Sequence, residues 1–117
     1  MSVRTKRIYD DPASSNGTRV LVDRLWPRGV SKEAAALDEW LKQVAPSEDL
    51  REWYDHDPDH WEEFRERYRA ELDERDEPAG RLVEAADAGT LTLLYAATDR
   101  EHNNAVVLKE YVAERTT

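Results

Sequence analysis

The sequence predicts a small α/β fold in which a short, mostly parallel three-stranded sheet is covered by about five helices. Three observations predict it. Runs rich in β-compatible residues stand at Val3–Tyr9, Arg19–Leu25 and Thr90–Ala97. Four segments of helical period lie between the second and third runs, and a fifth follows the third. The chain has 117 residues, the size of one domain and too few for two separate cores, so a single domain over residues 1–117 is expected.

The second run, RVLVDRL, has three consecutive aliphatic residues, the mark of a strand buried on both faces. Between the first two runs, Asn16-Gly17 supplies the positive φ angles of a reversal, in a connection that leaves the pairing direction open. Past Pro27-Arg28-Gly29, the spacing of Leu37, Trp40, Leu41 and Val44 predicts a helix capped by Ser31 and stopped by Pro46. Ser47 caps the next, with Glu48 and Asp49 in its first turn. Asp57-Pro58 starts a longer helix striped by Trp61, Phe64, Tyr68 and Leu72. Glu77-Pro78 sets off a helix carrying Leu82, Val83 and Ala86 that Gly89 ends. TLTLLYAA is the third strand, and Ala105, Leu108, Tyr111 and Val112 mark the final helix, with Thr98 and Glu101 spaced as a capping box.

Composition narrows the chemistry. No Cys is present, which removes disulfides, thiolate catalysis and Cys-ligated metals together. A formal net charge of −9 gives a field that repels phosphate backbones and anionic membranes, so nucleic acid is a disfavoured partner and no membrane is expected. The opening MSVRTKRIYDD lacks the apolar run of a secretory signal, and a cytoplasmic location is the expectation. The Asp55-His56-Asp57-Pro58-Asp59-His60 cluster has metal-ligating atoms, but Asp57-Pro58 breaks the helix that a shared face would need, so no metal is expected. Walker loops, G-x-G-x-x-G turns and deaminase signatures are missing, and no cofactor is expected.

Parallel strands joined by right-handed crossovers would bring the second and third strand ends to one edge, where α/β proteins bind ligands. The second strand ends in Asp23-Arg24-Leu25-Trp26-Pro27-Arg28-Gly29, combining an acid, two planar guanidinium forks and an indole with the helix start near Ser31. The third ends in Tyr95-Ala96-Ala97-Thr98-Asp99-Arg100-Glu101-His102-Asn103-Asn104. Together they predict a site for a small anionic molecule, phosphorylated or nucleotide-like. Arg24 and Arg28 would clamp the anion, Trp26 or Tyr95 would wall or stack it, Asn104 would orient it, and Asp23 or Asp99 would exchange a proton. Whether the site catalyses or only binds is left open by the residues. The rival reading is a noncatalytic protein-interaction module using Trp40, Trp53 and Trp61, should they lie exposed. Oligomeric state has no signal in the sequence.

RVLVDRLWPRG, the Ala-Pro-Ser-x-x-Leu-Arg stretch at Ala45–Arg51, Phe64 with Tyr68, and LTLLYAATDREHNNAVVL resemble the YeaO-like branch of the domain of unknown function family 488. The likeness runs from about Lys6 to Val112. It implies a compact cytoplasmic α/β protein and no established activity. Larger relatives typically carry a D-V-R…P block, which Asp23, Arg24 and Pro27 resemble, and a C…C-H-R block, where this sequence has Tyr95 and Asn103-Asn104-Ala105. The resemblance therefore carries over the acid-plus-Arg edge of the second strand and not the Cys and His chemistry.

Overall fold

A computed structural model describes residues 2–55 and 57–116. Its sheet has four strands rather than three, β1 (Ser2–Arg7), β2 (Thr18–Leu21), β3 (Glu39–Trp40) and β4 (Thr90–Tyr95), in the order β1-β4-β2-β3 with every pairing parallel. Five helices accompany them: α1 (Lys32–Ala35), α2 (Glu48–Tyr54), α3 (Trp61–Asp73), α4 (Asp76–Ala88) and α5 (Asn104–Ala113).

β4 is central because both of its faces are apolar. Leu91, Leu93 and Tyr95 join Val20 and Val22 of the β2 segment in the larger core, against Phe64, Tyr68 and Leu72 of α3, Leu82 of α4 and Leu108 of α5. Leu94 and Leu21 point the other way, into a smaller core with Ile8 and Ala35, flanked by Trp26, Val30, Leu37 and Trp40. That two-sided burial is why VLV is a continuous apolar run and LTLLY a nearly continuous one, broken by the buried Thr92 alone.

The connection from β1 to β2 passes over β4, and Gly17 fixes where it lands. Its φ is 65°, and a Cβ there would lie 2.3 Å from the Thr90 carbonyl oxygen, so only glycine lets the chain enter β2 this close to β4. Asn16, buried just before it, accepts from the Ala13 amide and from the Arg19 guanidinium. Arg19 is itself buried and spends its remaining donors on the carbonyls of Ala35 and Ala36, so a cation in the smaller core is held without an ion pair to its side chain among the described residues.

The helix predicted through Leu37, Trp40, Leu41 and Val44 is not one helix. Ser31 does cap a helix, accepting from the Ala34 amide at 3.0 Å, but α1 ends after one turn at Ala36, whose φ is 48°. Glu39–Trp40 then pairs with Val20–Leu21 as β3, and Lys42–Val44 forms a 3-10 turn. Leu41 and Val44 are buried in the larger core while Trp40 packs on the smaller one, so spacing that mimics one helical face comes from an edge strand with cores on both sides. At the other end, the cap of α5 is Asn103, accepting from Val106 N at 3.0 Å, and not a Thr98–Glu101 box. Ser47 caps α2 as expected, and Asp57 caps the 3-10 turn Pro58–His60 that leads into α3. Pro78 lies inside the first turn of α4, where no intrahelical N–H is needed, so that helix starts at Asp76, ahead of Glu77-Pro78.

Candidate functional site

Because β2 and β4 are adjacent and parallel, the DRLWPRG and TDREHNN turns leave the sheet on the same edge. They are tied together there. The Asp23 carboxylate accepts from the Ala96 amide at 2.9 Å, and the Asn104 side-chain amide donates to the Val22 carbonyl at 3.0 Å. Behind them, the Trp40 indole donates to the Asp23 carbonyl at 2.8 Å, which makes the unforeseen strand β3 a brace for the site.

At this edge lies a cavity of about 370 Å³. Asp23, Arg24, Trp26 and Arg28 line it from the β2 turn, and Ala96, Ala97, Asn103 and Asn104 from the β4 side. Tyr95 and Asp99 are not among the lining residues. Tyr95 is turned into the larger core at 2% exposure, and burial raises the pKa of its phenol. Asp99 organises its own turn: its carboxylate accepts from the amides of Glu101 at 2.9 Å and His102 at 3.0 Å, and lies 3.0 Å from the His102 Nδ1. The Glu101 amide, with the other donors of that turn, holds the Asp99 carboxyl below its ordinary value.

The remaining walls come from Tyr9, after β1, from Ala45 and Pro46, and from Arg51, Tyr54 and Phe64 on α2 and α3. Arg51 and Tyr54 share a helix face at i, i+3, which aims both at the cavity. Tyr54 is buried, its hydroxyl donates to the His102 carbonyl at 3.3 Å, and burial, reinforced by Asp99 and Asp57, pushes its phenol up to about 12, so it is protonated at neutral pH. Composition and strand-end reasoning missed Arg51, Tyr54 and Phe64, which read as ordinary helix residues. The signal that could have found Arg51 was its place at the end of the Ala-Pro-Ser-x-x-Leu-Arg stretch.

Three guanidinium groups therefore surround one hollow. Arg24 donates through Nη2 to the Pro46 carbonyl at 3.1 Å, and its Nε is buried with no partner. Arg28 and Arg51 are exposed. None of the three forms an ion pair among the described residues, whereas Arg65, Arg67, Arg69, Arg75, Arg81, Arg100 and Arg115 each pair with a carboxylate. The short helix α1 does not contribute to the lining; the start of α5 does, through Asn103 and Asn104.

Elsewhere, Trp40, Trp53 and Trp61 are all half-buried. Trp40 meets Trp26 edge-on at 5.4 Å, Trp53 stacks on His60 at 4.8 Å under the Arg67 guanidinium, and Trp61 packs on Phe64. His56, in the Asp55–His60 cluster, lies outside the described residues. Among those described, no group of three or more His, Asp or Glu could hold a metal ion, and no helix is long and apolar enough to cross a membrane.

Comparison with known proteins places this geometry in a family. The chain is 43% identical to the uncharacterized protein YeaO of Escherichia coli over 112 residues, 96% of this chain and 97% of that one. It is 50% identical over 70 residues to uncharacterized proteins of Mycobacterium bovis and Mycobacterium tuberculosis, a match that spans 60% of this chain and 59% of theirs. No solved structure matches. The family description that fits residues 2–117 is that of an inactive subclade. With the likeness carried from one end of the fold to the other, both strand-end turns included, the chain belongs to the DUF488-N3i family, the inactive DUF488-N3 subclade.

Proposed function

We propose that this chain binds a small anionic molecule in the cavity at the β2–β4 edge, and that it binds without catalysing. One observation carries the reading. In a chain of net charge −9, where most arginines have found a carboxylate, Arg24, Arg28 and Arg51 face a shared hollow with none. A cluster of uncompensated guanidinium groups raises the local potential against the overall field and offers the planar donor forks that phosphate and carboxylate accept. The volume, about 370 Å³, falls in the range of small-molecule pockets, about 300–1,000 Å³.

The subclade's description as inactive favours binding over turnover. In this reading Asp23 and Asp99 are organising groups. Asp23 holds the Ala96 backbone and Asp99 holds the turn before α5, each through main-chain amides. Trp26 walls the cavity and Asn104 orients the ligand, while Tyr95 belongs to the core.

The test is a thermal-shift and calorimetric titration with inorganic phosphate, pyrophosphate and small dicarboxylates. A ligand at a hundred times its dissociation constant stabilises a native state by about 2.7 kcal/mol, a shift that such a scan resolves. Arg28→Ala and Arg51→Ala, at exposed side chains, are expected to abolish the shift while the unliganded proteins melt as the parent does. Stabilisation that survives both substitutions, or no stabilisation by any anion, would overturn the proposal.

A further inference from the structure

Among the described residues, two large apolar side chains are exposed, Tyr9 at 46% and Leu25 at 63%, and both line the same cavity as the three guanidinium groups. Isolated exposed apolar residues need no explanation. Two of them lining one hollow beside three guanidinium groups do.

Tyr9 is also held in place. Its hydroxyl donates to the Arg28 carbonyl at 3.0 Å, and the Arg7 guanidinium lies over its ring, 4.9 Å from the centroid. Arg7 is in turn fixed by the carbonyls of Ala97 at 2.8 Å and Ala96 at 3.1 Å, so the ring is braced from the β4 turn. With the phenol committed to the backbone, what the side chain presents to the cavity is ring surface. The same holds for Trp26, whose indole N–H donates to the Val30 carbonyl at 2.7 Å. Rigid rings with spent polar groups recognise other flat rings by stacking, and they do so at small entropic cost.

We infer that the ligand is a planar aromatic anion, one flat ring system bearing a phosphate or carboxylate, with Tyr9, Leu25 and Trp26 taking the ring and Arg24, Arg28 and Arg51 the charge. This rests on the anion-binding reading above and adds to it the part of the ligand that is not charged. The bond from Tyr9 to Arg28 joins the two halves of the site, because it fixes the ring and the backbone of the cation relative to each other.

The experiment measures three classes of probe by calorimetry on the full chain. Nucleoside 5′-monophosphates and anthranilate carry a ring and a charge; inorganic phosphate and acetate carry charge alone; an uncharged nucleoside carries the ring alone. At least one ring-bearing anion is expected to bind about tenfold or more tightly than either part, consistent with the strength of base–aromatic stacking. Which arm wins separates a phosphate-bearing from a carboxylate-bearing ligand. Leu25→Ser is expected to weaken that ligand about tenfold and leave inorganic phosphate binding unchanged; Tyr9→Ser is expected to weaken it at least as much, while Tyr9→Phe keeps the ring and most of the affinity. Inorganic phosphate binding as tightly as every ring-bearing anion overturns this inference and leaves the anion reading standing. An uncharged nucleoside binding as tightly as its monophosphate overturns the anion reading, and full affinity in both serine variants overturns the role of the rim.

Discussion

The carboxylate of Asp23, just past β2, accepts a hydrogen bond at 2.9 Å from the main-chain amide of Ala96, just past β4. With the Asn104 amide on the Val22 carbonyl, this side chain ties together the two turns that wall the cavity. Asp23→Ala leaves a part-buried amide without its acceptor, and the expected loss is about 1–3 kcal/mol in urea unfolding. Asp23→Asn keeps an acceptor oxygen in place and is expected to recover most of it. An alanine variant as stable as the parent would show that the two turns are held by something else.

Arg24 is expected to behave as a site residue and not as a structural one. Its Nε is buried without a partner, and a single bond to the Pro46 carbonyl is what the rest of the fork has gained. Arg24→Met keeps the aliphatic stem and removes the uncompensated donor, so stability is expected to hold within about 1 kcal/mol or to rise. Anion affinity in the same variant is expected to fall. A destabilisation above about 2 kcal/mol would instead make Arg24 part of the scaffold.

At Gly17 the expected effect is on folding alone. Alanine would have to adopt a φ of 65° and place its Cβ 2.3 Å from a backbone oxygen of Thr90, which no side-chain motion can relieve. The cost is expected to exceed about 2 kcal/mol, from backbone strain and displacement of β2 from β4. Chemical denaturation of Gly17→Ala, compared with Gly80→Ala where a Cβ meets nothing within 4 Å, checks it.

Asp99 predicts a pH dependence. Its folded-state carboxyl titrates below the ordinary 3.8, first because the Glu101 amide donates to it and then through the His102 amide and ring. The unfolded chain therefore binds that proton more readily. The stabilisation is present in full well above pH 3.8 and is lost as the pH falls through the lower folded-state value. Asp99→Ala is expected to cost about 1 kcal/mol at neutral pH, as lost side-chain hydrogen bonds to main-chain amides do, with the gap from the parent closing in acid. A gap that stays constant as the pH falls through that range would remove Asp99 from the balance.

Much of the fold was legible in the residues. Three consecutive aliphatic residues flagged β2 as buried on both faces, TLTLLYAA marked β4 as a strand, and Ser31, Ser47 and Asp57 marked helix or turn starts through the hydrogen bonds their side chains make. The failure at Leu37–Val44 has a physical cause. Periodicity reports which residues are buried and not what buries them, and here Trp40 faces one core while Leu41 and Val44 face the other. A two-residue strand has no propensity signal of its own; it exists because β2 has an open edge that Leu41 N and Asp38 N can reach, bonding to the carbonyls of Leu21 and Arg19 at 2.9 Å each.

For the site, local sequence determined the chemistry available at each strand end: the acid and guanidinium groups of DRLWPRG, the amides of HNNA, and the absence of any thiol. Only the tertiary structure decided which of those groups share a hollow. The order β1-β4-β2-β3 brought Asp23, Arg24, Trp26, Arg28 and Asn104 to one cavity, turned Tyr95 into the core, left Asp99 to its own turn, and added Tyr9 and Arg51 from elements far away in the chain. The physical reason is that hydrogen-bonding and charge chemistry belong to single residues, whereas proximity between residues 23 and 96 is created by strand pairing and by apolar burial on both sides of β4.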